Sequence, residues 1–338
     1  FTWVPWFFML SGYVLMHARL NSRTPDRVDP PLTALWKRTS SIFPMYAIGV
    51  VLDMVAYLAR GSPLPAYYVL IAQSFLLQGW VSYLTEKSLQ THTWFLSAMV
   101  VYWLFFGPMY RLMRKLSLGK TLAFLLGLTL LPWLVVIIPA SMNDLAFYSH
   151  HRTGSLTTPL DHVVVTLKFN PLCYLHVFTF GMLLARFRRH VTRREDSYET
   201  NNNKRPCCQN VLMVPFRAGA CLGYLGLIVI FMFLKEAGAA KAKISARLGI
   251  LMPLQGIILL GLSPLRGLAK SPSDITWFFQ QTGADPVANL FHKAPAWLGD
   301  VSYSQYVLQI LAYTVWPMKL DVFGRWGFVP FFGFLQGV

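Results

Sequence analysis

The sequence predicts an all-α membrane protein, built as a polytopic bundle of transmembrane helices. Hydrophobic residues make up 55% of the 338 residues, while charged residues reach only 13% and aromatic residues 15%. This balance favours a membrane protein over a soluble one. The apolar residues occur in runs close to the ~20 residues that cross a bilayer, and basic residues cluster in the short gaps between these runs, as in membrane loops.

Ten apolar stretches are candidate crossings. The third of them is short and ends in the polar sequence AQSFLLQGW. If it crossed, the loop lysines and arginines would be divided between the two sides, whereas a re-entrant or interfacial segment there places most of them in the cytoplasm, as the positive-inside rule requires. We therefore expect about nine crossings and one re-entrant or interfacial segment. The ten stretches are Trp3–Ala18, Ile42–Ala59, Ala66–Trp80, Trp94–Met113, Leu122–Pro139, Pro171–Phe187, Val211–Leu234, Leu248–Leu265, Trp297–Trp316 and Val322–Gly337.

The same topology assigns the connecting segments to the two sides of the membrane. It places Arg19–Ser41, Arg111–Lys120 and the segment 188–210 in the cytoplasm, and Ser141–Lys168 outside. The composition of 188–210 predicts a flexible basic loop. Because the first visible helix must run inward, we expect one more helix upstream of Phe1, which gives about ten in the complete core. The whole chain, 1–338, is predicted to be a single membrane-embedded domain.

The charge of the chain narrows the choice of partners. Thirty basic residues against 14 acidic ones give a net charge of +16. No nucleic-acid-binding motif accompanies this charge, so we expect an anionic lipid bilayer as the partner and no nucleic acid. The sequence has no spacing typical of a metal site, and we expect neither a metal nor a bound cofactor.

Six sequence blocks resemble one family of membrane enzymes. The block FFMLSGYVL, at Phe7–Leu15, resembles the FF-x-LSG-[FY] signature of the acyltransferase 3 family, whose members are multi-pass enzymes that move acyl groups onto hydroxyls of sugars, lipids or other acceptors. The other five follow in the family's order, and the similarity spans nearly the whole chain. They are KRTSSIFPMY (Lys37–Tyr46), LLQGW (Leu76–Trp80), THTWFLSAMVVYW (Thr91–Trp103), NPLCYLHVFTFGMLLARF (Asn170–Phe187) and LGDVSYSQYVLQ (Leu298–Gln309).

The resemblance implies an integral membrane acyltransferase of the plasma membrane or endomembranes. Acyl-CoA would be its co-substrate, and a hydroxyl-bearing molecule its acceptor. The family's catalytic histidine belongs to the helix expected upstream of Phe1, so the fragment alone is expected to be inactive. Gln309 stands where the family block has His, and Ser41 where the basic segment has a second Arg. These departures leave a non-catalytic relative as one alternative, and a polytopic transporter is the other.

Three residues are candidates for a catalytic role. Ser11 adjoins Gly12, a residue that favours close helix packing, and its hydroxyl is expected to face a polar path. Asp53 lies near the middle of a predicted crossing, where a carboxylate requires a partner or a function. A structural pair with Arg217 or Arg247 explains Asp53 equally well. His92 precedes the Trp94 helix, although a satisfied intramembrane histidine is the more ordinary interpretation.

A second set of residues is predicted to bind the two substrates. Lys37 and Arg38 are the donor-binding candidates, because Arg pairs with phosphate in bidentate geometry, and anchoring at the cytoplasmic face explains them equally well. The residues predicted to line the cavity come from the blocks that resemble the family. They are Tyr13, Tyr46, Trp80, Trp94, Asn170, Tyr303, Tyr306 and Gln309.

Overall fold

The computed structural model describes residues 3–22, 24–25, 29–59, 61–141, 166–167, 169–202, 218–219, 222–223, 225–226 and 251–262. This part of the chain is helical and contains no strand. Its helices are α1 (Trp3–Leu20), α2 (Pro31–Ala59), α3 (Tyr67–Ser74), α4 (Ser82–Lys87), α5 (Trp94–Met113), α6 (Leu118–Ser141), α7 (Leu175–Asn202) and α8 (Met252–Leu262). Short 3₁₀ turns lie at Gln78–Trp80, Thr91–Thr93 and Pro171–Tyr174.

Within the described residues, two helices are long and apolar enough to cross a membrane, α2 and α5. The α5 helix has the bounds predicted from the sequence, and α2 begins eleven residues before its predicted crossing, in the basic segment. The other predicted crossings stay predictions. Trp297–Trp316 and Val322–Gly337 lie outside the described residues, as does most of Val211–Leu234.

The predicted re-entrant or interfacial segment, Ala66–Trp80, does not form a long helix. Its only α-helix, α3, has eight residues, which at 1.5 Å per residue spans about 12 Å and falls well short of a ~30 Å hydrocarbon core. After α3 the chain turns at Leu76, whose φ is 57°, and enters a 3₁₀ turn. A segment of this shape connects two helices at the same end of a bundle.

Contacts between α2 and α5 show that these two helices are antiparallel. The Arg38 guanidinium lies 5.4 Å from the centre of the Phe106 ring, while farther along α2 Tyr46 packs in a small cluster with Leu96, at the start of α5. The end of α2 and the start of α5 therefore meet at one end of the bundle. The residues that connect them, 61–93, stay at that end.

Helices α1 and α7 run in the same direction, because Phe8 contacts Tyr174 just before α7 and Tyr13 bonds to Arg188 farther along it, and the two helices pack backbone against backbone. A Cβ added at Gly12 would lie 2.1 Å from the carbonyl oxygen of Phe178, and one added at Gly181 would lie 2.0 Å from that of Met9. No larger residue fits either position, because helix backbone rather than a flexible side chain fills the space. Small residues permit this close approach in membrane bundles, and the sequence predicted such a role for Gly12.

Hydrogen bonds between other helices and turns show that most of the described basic residues lie at one end of the bundle. Arg186 of α7 donates to the Leu116 carbonyl, at the turn between α5 and α6, and Tyr110 of α5 donates to Pro25, which follows α1. We call this the basic end. Among the described residues at the opposite end, Lys87 is the only lysine or arginine. The basic end holds Arg19, Lys37, Arg38, Arg111, Arg114, Lys115, Lys120, Arg186, Arg188 and Arg189.

The segment 188–210, predicted as a flexible basic loop, begins as a helix, because α7 continues to Asn202. The sequence RRHVTRREDSYETNN combines arginines with Glu195 and Glu199. Arg and Glu have good helix propensity, so the residue types of this segment favour a helix. Composition suggested disorder, but this local pattern extends the helix. Residues 203–210 lie outside the described residues.

Candidate functional site

Helix α2 carries two of its candidate functional residues, Arg38 and Asp53, on the face that packs into the bundle. Its buried residues Tyr46, Gly49, Asp53 and Ala56 recur at intervals of three and four, which places them on one helical face. Arg38 belongs to the same face, since it reaches the Phe106 ring of α5. Fifteen residues separate Arg38 from Asp53, or about 22 Å along the helix axis. One face of α2 thus joins a cation at the basic end to a carboxylate near the opposite end.

Arg38 and its neighbour Lys37 have different surroundings. The Arg38 guanidinium lies over Phe106, and its Nη1 atom is buried without a hydrogen-bond partner. Lys37 is exposed, and its ammonium forms a 3.0 Å ion pair with Asp29 at the surface. Consecutive residues of a helix point about 100° apart, so only Arg38 is directed into the bundle. Both residues were predicted from the sequence to bind the donor. In the structure Arg38 faces the interior of the bundle, whereas Lys37 faces the surface.

The sequence analysis did not single out Arg188, a second buried arginine at the basic end. Arg188 of α7 is 6% exposed, and its Nη1 donates a 2.8 Å hydrogen bond to the Tyr13 hydroxyl of α1. The Tyr13 ring in turn stacks on His17 at 5.8 Å. Arg188 stood in a run of basic residues, where nothing distinguished it from its neighbours. Tyr13 was predicted to line the cavity, and its partner is this buried cation.

At the opposite end, polar side chains are buried between α2, α5 and residues 61–93. We call this group the glutamine cluster. Asp53 is 1% exposed, and the others are not exposed at all. The sequence singled out Asp53 alone, because the glutamines and hydroxyl residues are spread over turns that carry no shared periodicity. The glutamine cluster comprises Asp53, Gln73, Gln78, Gln90, Thr93 and Ser97.

Hydrogen bonds tie the glutamine cluster to the surrounding backbone. The Tyr46 hydroxyl donates to the Gln73 carbonyl at 2.7 Å, and the Gln73 side-chain oxygen accepts from the amide of Leu89 at 3.1 Å. Thr93 donates to the Gln90 carbonyl at 2.8 Å. These bonds hold the irregular residues 61–93 against α2 and α5, and they explain why Tyr46, predicted to line a cavity, is almost fully buried.

The Asp53 carboxyl lies beside the Gln90 side chain. The two side chains interact as hydrogen-bonding partners, although the contact falls outside the ordinary length or angle of a hydrogen bond. Buried polar groups are normally paired, because leaving one unpaired costs about 1–3 kcal/mol. The predicted structural partners of Asp53, Arg217 and Arg247, lie outside the described residues.

Three other residues predicted to line the cavity, Trp94, Trp80 and Asn170, lie outside the glutamine cluster. Trp94 is buried in an aromatic group with Phe8, Phe169 and Tyr174, and Trp80 is 38% exposed at the rim of the glutamine cluster. Asn170 caps the following 3₁₀ turn by accepting from the Leu172 amide at 2.9 Å.

Ser11 is half-buried on α1 beside Gly12. The His92 side chain is not described, and Tyr303, Tyr306 and Gln309 lie outside the described residues. No group of three His, Cys, Asp or Glu residues in the described part of the chain is arranged to hold a metal ion.

Comparison with known proteins gives one match. A family model described as an acyltransferase domain matches residues 1–337. No curated protein and no solved structure matches the chain. The family match covers almost the whole chain, including both ends of the bundle and the residues between them. The chain therefore belongs to the acyltransferase 3 family, and its function is that of an acyltransferase.

Proposed function

We propose that this acyltransferase moves an acyl group from acyl-CoA, bound at the basic end, to a hydroxyl of an acceptor bound near the opposite end. The observation that carries the proposal is the inward face of α2, which joins Arg38 to Asp53 through the bundle. Coenzyme A is an anion with a long arm ending in its thiol. A cation at one end and a polar cluster at the other suit a molecule of that shape.

The charge distribution supports an orientation with the basic end in the cytoplasm. Apart from Lys87, the described lysines and arginines lie at that end. They belong to α1, α2, α5, the turn after α5, the start of α6 and the first part of α7. Cytoplasmic loops of membrane proteins carry such an excess, and acyl-CoA is a cytoplasmic metabolite. The glutamine cluster would then lie toward the outer side, in a multi-pass protein of the plasma membrane or endomembranes.

The proposed reaction forms an ester and releases free CoA. The acceptor oxygen attacks the thioester carbonyl, the new C–O bond forms, and the C–S bond breaks. The hydroxyl proton passes to a base, and the departing thiolate is protonated to give CoA. A hydroxyl is a poor nucleophile while it keeps its proton, so a base is required. The resemblance to the family implies a histidine as this base, and the glutamine cluster would bind the hydroxyl.

Arg38 is proposed to contact a phosphate of the donor. Its guanidinium is directed into the bundle, and one nitrogen is buried without a partner. A phosphate would accept from that nitrogen in a charge-assisted hydrogen bond. Lys37 is proposed to serve as a surface anchor instead, because its ammonium is already paired with Asp29.

The test compares two adjacent basic residues in the full-length protein. Arg38→Ala is expected to weaken acyl-CoA binding by about 1.5–3 kcal/mol, the range for a hydrogen bond to a charged group. Lys37→Ala is the matched control, with an expected effect below 1 kcal/mol because exposed ion pairs contribute little. Binding and CoA release are measured with radiolabelled acetyl-CoA in reconstituted membranes. Equal effects of the two variants would remove Arg38 from the donor site.

The non-catalytic and transporter alternatives predict a different result in the same assay. A non-catalytic relative would bind acyl-CoA without releasing CoA in the presence of any acceptor. A transporter would move labelled substrate across the membrane without breaking the thioester. Acceptor-dependent release of CoA, together with a labelled ester product, excludes both.

A further inference from the structure

Two arginines and a threonine at the basic end each bury a polar atom that has no hydrogen-bond partner. The atoms are Nη2 of Arg19, in the last turn of α1, and Nη1 of Arg38 and Oγ1 of Thr39, near the start of α2. We call these three residues the unpaired group. Because buried polar groups are normally paired, three such residues at one end of a bundle indicate a binding site rather than ordinary anchoring at the membrane surface.

The Thr39 hydroxyl differs from other threonine hydroxyls in the helices of this chain. A helical threonine commonly donates to the carbonyl one turn earlier. Three threonines do so here, at 2.8 or 2.9 Å, namely Thr121, Thr129 and Thr179. The buried hydroxyl of Thr39 makes no such bond to Leu35. It is therefore available to donate to a ligand.

Packing contacts place the unpaired group around one aromatic pair of α5. The Arg38 guanidinium lies 5.4 Å from the centre of the Phe106 ring, and that ring lies 6.0 Å from the ring of Tyr110. Leu20, the last residue of α1, is buried in the same hydrophobic core as both rings. The Tyr110 hydroxyl also donates to the Pro25 carbonyl, just after α1, at 3.1 Å. The end of α1 and the start of α2 therefore meet at this aromatic pair.

The surroundings of the unpaired group favour an anion. Asp29 is the only carboxylate among the side chains that the structure describes at the basic end. It interacts electrostatically with Arg38, but its oxygen forms a 3.0 Å ion pair with Lys37. Arg114 adds a further cation, 6.0 Å from the centre of the Tyr110 ring. Cations thus outnumber the one described carboxylate, and a neutral ligand would leave this charge unbalanced.

We propose that the unpaired group binds a phosphomonoester, the terminal phosphate that coenzyme A carries on its ribose; this rests on the proposed transferase function. A phosphomonoester has three terminal oxygens and close to two negative charges, whereas a phosphodiester has two such oxygens and one charge. Two guanidinium groups and one hydroxyl supply a donor for each of three oxygens. Arg19 and Thr39 thereby join Arg38 as specificity-determining residues, which select a donor with a terminal phosphate.

The experiment compares two donors that differ only in this phosphate, acetyl-CoA and acetyl-dephospho-CoA. Equilibrium binding of each radiolabelled donor is measured on the full-length protein in lipid nanodiscs. We expect acetyl-CoA to bind at least tenfold more tightly, since a charge-assisted hydrogen bond corresponds to about tenfold or more in affinity. Arg19→Ala should weaken acetyl-CoA binding at least tenfold and leave acetyl-dephospho-CoA within twofold. Thr39→Val, which keeps the shape of the side chain, should reduce the preference at least threefold.

Arg111→Ala is the matched control. Arg111 is exposed in the last turn of α5 at the same end of the bundle, and it does not belong to the unpaired group. It should leave the affinity for both donors within twofold, because exposed charges are screened by solvent and salt. Arg19→Gln keeps most of the length of the side chain without its charge, and it should show the same loss as Arg19→Ala. Elution in detergent checks that each variant folds.

Phosphatidic acid offers a phosphomonoester from the membrane, so a second arm distinguishes the two sources. The protein is recovered from nanodiscs that contain equal amounts of phosphatidic acid and phosphatidylglycerol, whose phosphate is a diester. The bound lipids are then counted by mass spectrometry. Enrichment of phosphatidic acid that Arg19→Ala abolishes, together with equal binding of the two donors, assigns the site to the lipid. A preference for acetyl-CoA that Arg19→Ala abolishes assigns it to the donor.

The outcomes separate this inference from the proposed function. Equal acetyl transfer from the two donors, with no enrichment of phosphatidic acid, overturns the phosphomonoester site and leaves the proposed function intact. An Arg19→Ala effect that is equal for both donors also overturns the site, because the variant then acts on the fold or on a part of the donor that both share. Absence of transfer from either donor, with the preference in binding still dependent on Arg19, supports the site and overturns the proposed function.

Discussion

Replacing Gly12 by Ala tests the close packing of α1 on α7. The added Cβ would lie 2.1 Å from the Phe178 carbonyl oxygen, 3.1 Å from its carbonyl carbon and 3.3 Å from the Met182 amide nitrogen. An ordinary contact between carbon and oxygen is longer than this by about 1 Å or more, and all three atoms belong to helix backbone. The helices must therefore separate or shift, since no side chain can turn away.

The expected cost follows from the effect of overpacking. Extra methyl groups in a packed interior typically cost about 1–3 kcal/mol, and occasionally more. Gly12→Ala should reach at least the upper part of that range, about 3 kcal/mol, because backbone obstructs the new atom. Gly181→Ala should cost a similar amount, since its Cβ would lie 2.0 Å from the Met9 carbonyl oxygen. The double variant should cost less than the sum, because one separation of the helices relieves both clashes.

Two glycines of α6 provide the control. A Cβ added at Gly119 or Gly127 would meet no atom within 4 Å. Alanine at an open helical position is favoured over glycine by about 0.5–1 kcal/mol, so these variants should be neutral or slightly stabilised. Thermal and denaturant unfolding of the full-length protein in detergent measures all four. Stability of Gly12→Ala within about 0.5 kcal/mol of the unsubstituted protein would refute this packing, as would an equal loss in Gly127→Ala.

Three further predictions test other contacts and the orientation. Tyr46→Phe removes the 2.7 Å hydrogen bond to the α3 carbonyl and should cost about 0.5–1.5 kcal/mol, with faster hydrogen exchange in residues 61–93; unchanged exchange would contradict this. Tyr13→Phe leaves the buried guanidinium of Arg188 without its 2.8 Å hydroxyl partner and should cost about 1.5–3 kcal/mol in unfolding experiments, whereas no loss would mean that water replaces the hydroxyl. A reporter fused after Arg205 should respond as cytoplasmic and one at Gly154 as external, and the reverse result would invert the proposed orientation.

Much of the fold class was predictable because it depends on local properties. The bounds of α5 follow from an apolar run of the right length, and the family resemblance from short blocks such as FFMLSGYVL. Helix hydrogen bonds join residues four apart, so hydropathy and propensity over a short window indicate where a helix forms. The helix through residues 188–202 was not predicted, because overall composition was weighed above the helix propensity of the arginines and glutamates in that segment.

The candidate site was predictable only in part. Asp53 stood out because a charge within a crossing is costly wherever it points, and Arg38 because it lies in a basic block and its guanidinium pairs with phosphate. The glutamines of the glutamine cluster did not, because an amide in a short turn is ordinary until the surroundings show that it is buried. Arg188 was one of several arginines in sequence, and its 2.8 Å bond to a tyrosine 175 residues away distinguishes it only in the folded chain.

The sequence by itself determined the helical class, the family, and the gathering of basic residues beside particular helices, because each is set by neighbouring residues along the chain. Only the tertiary structure decided that Arg38 points inward while Lys37 does not, that α1 meets α7 at Gly12 and Gly181, and that polar side chains from α2, α5 and residues 61–93 converge. The physical reason is that helices choose their neighbours by shape and hydrogen bonding between surfaces far apart in sequence, and membrane helices gain little from hydrophobicity in that choice.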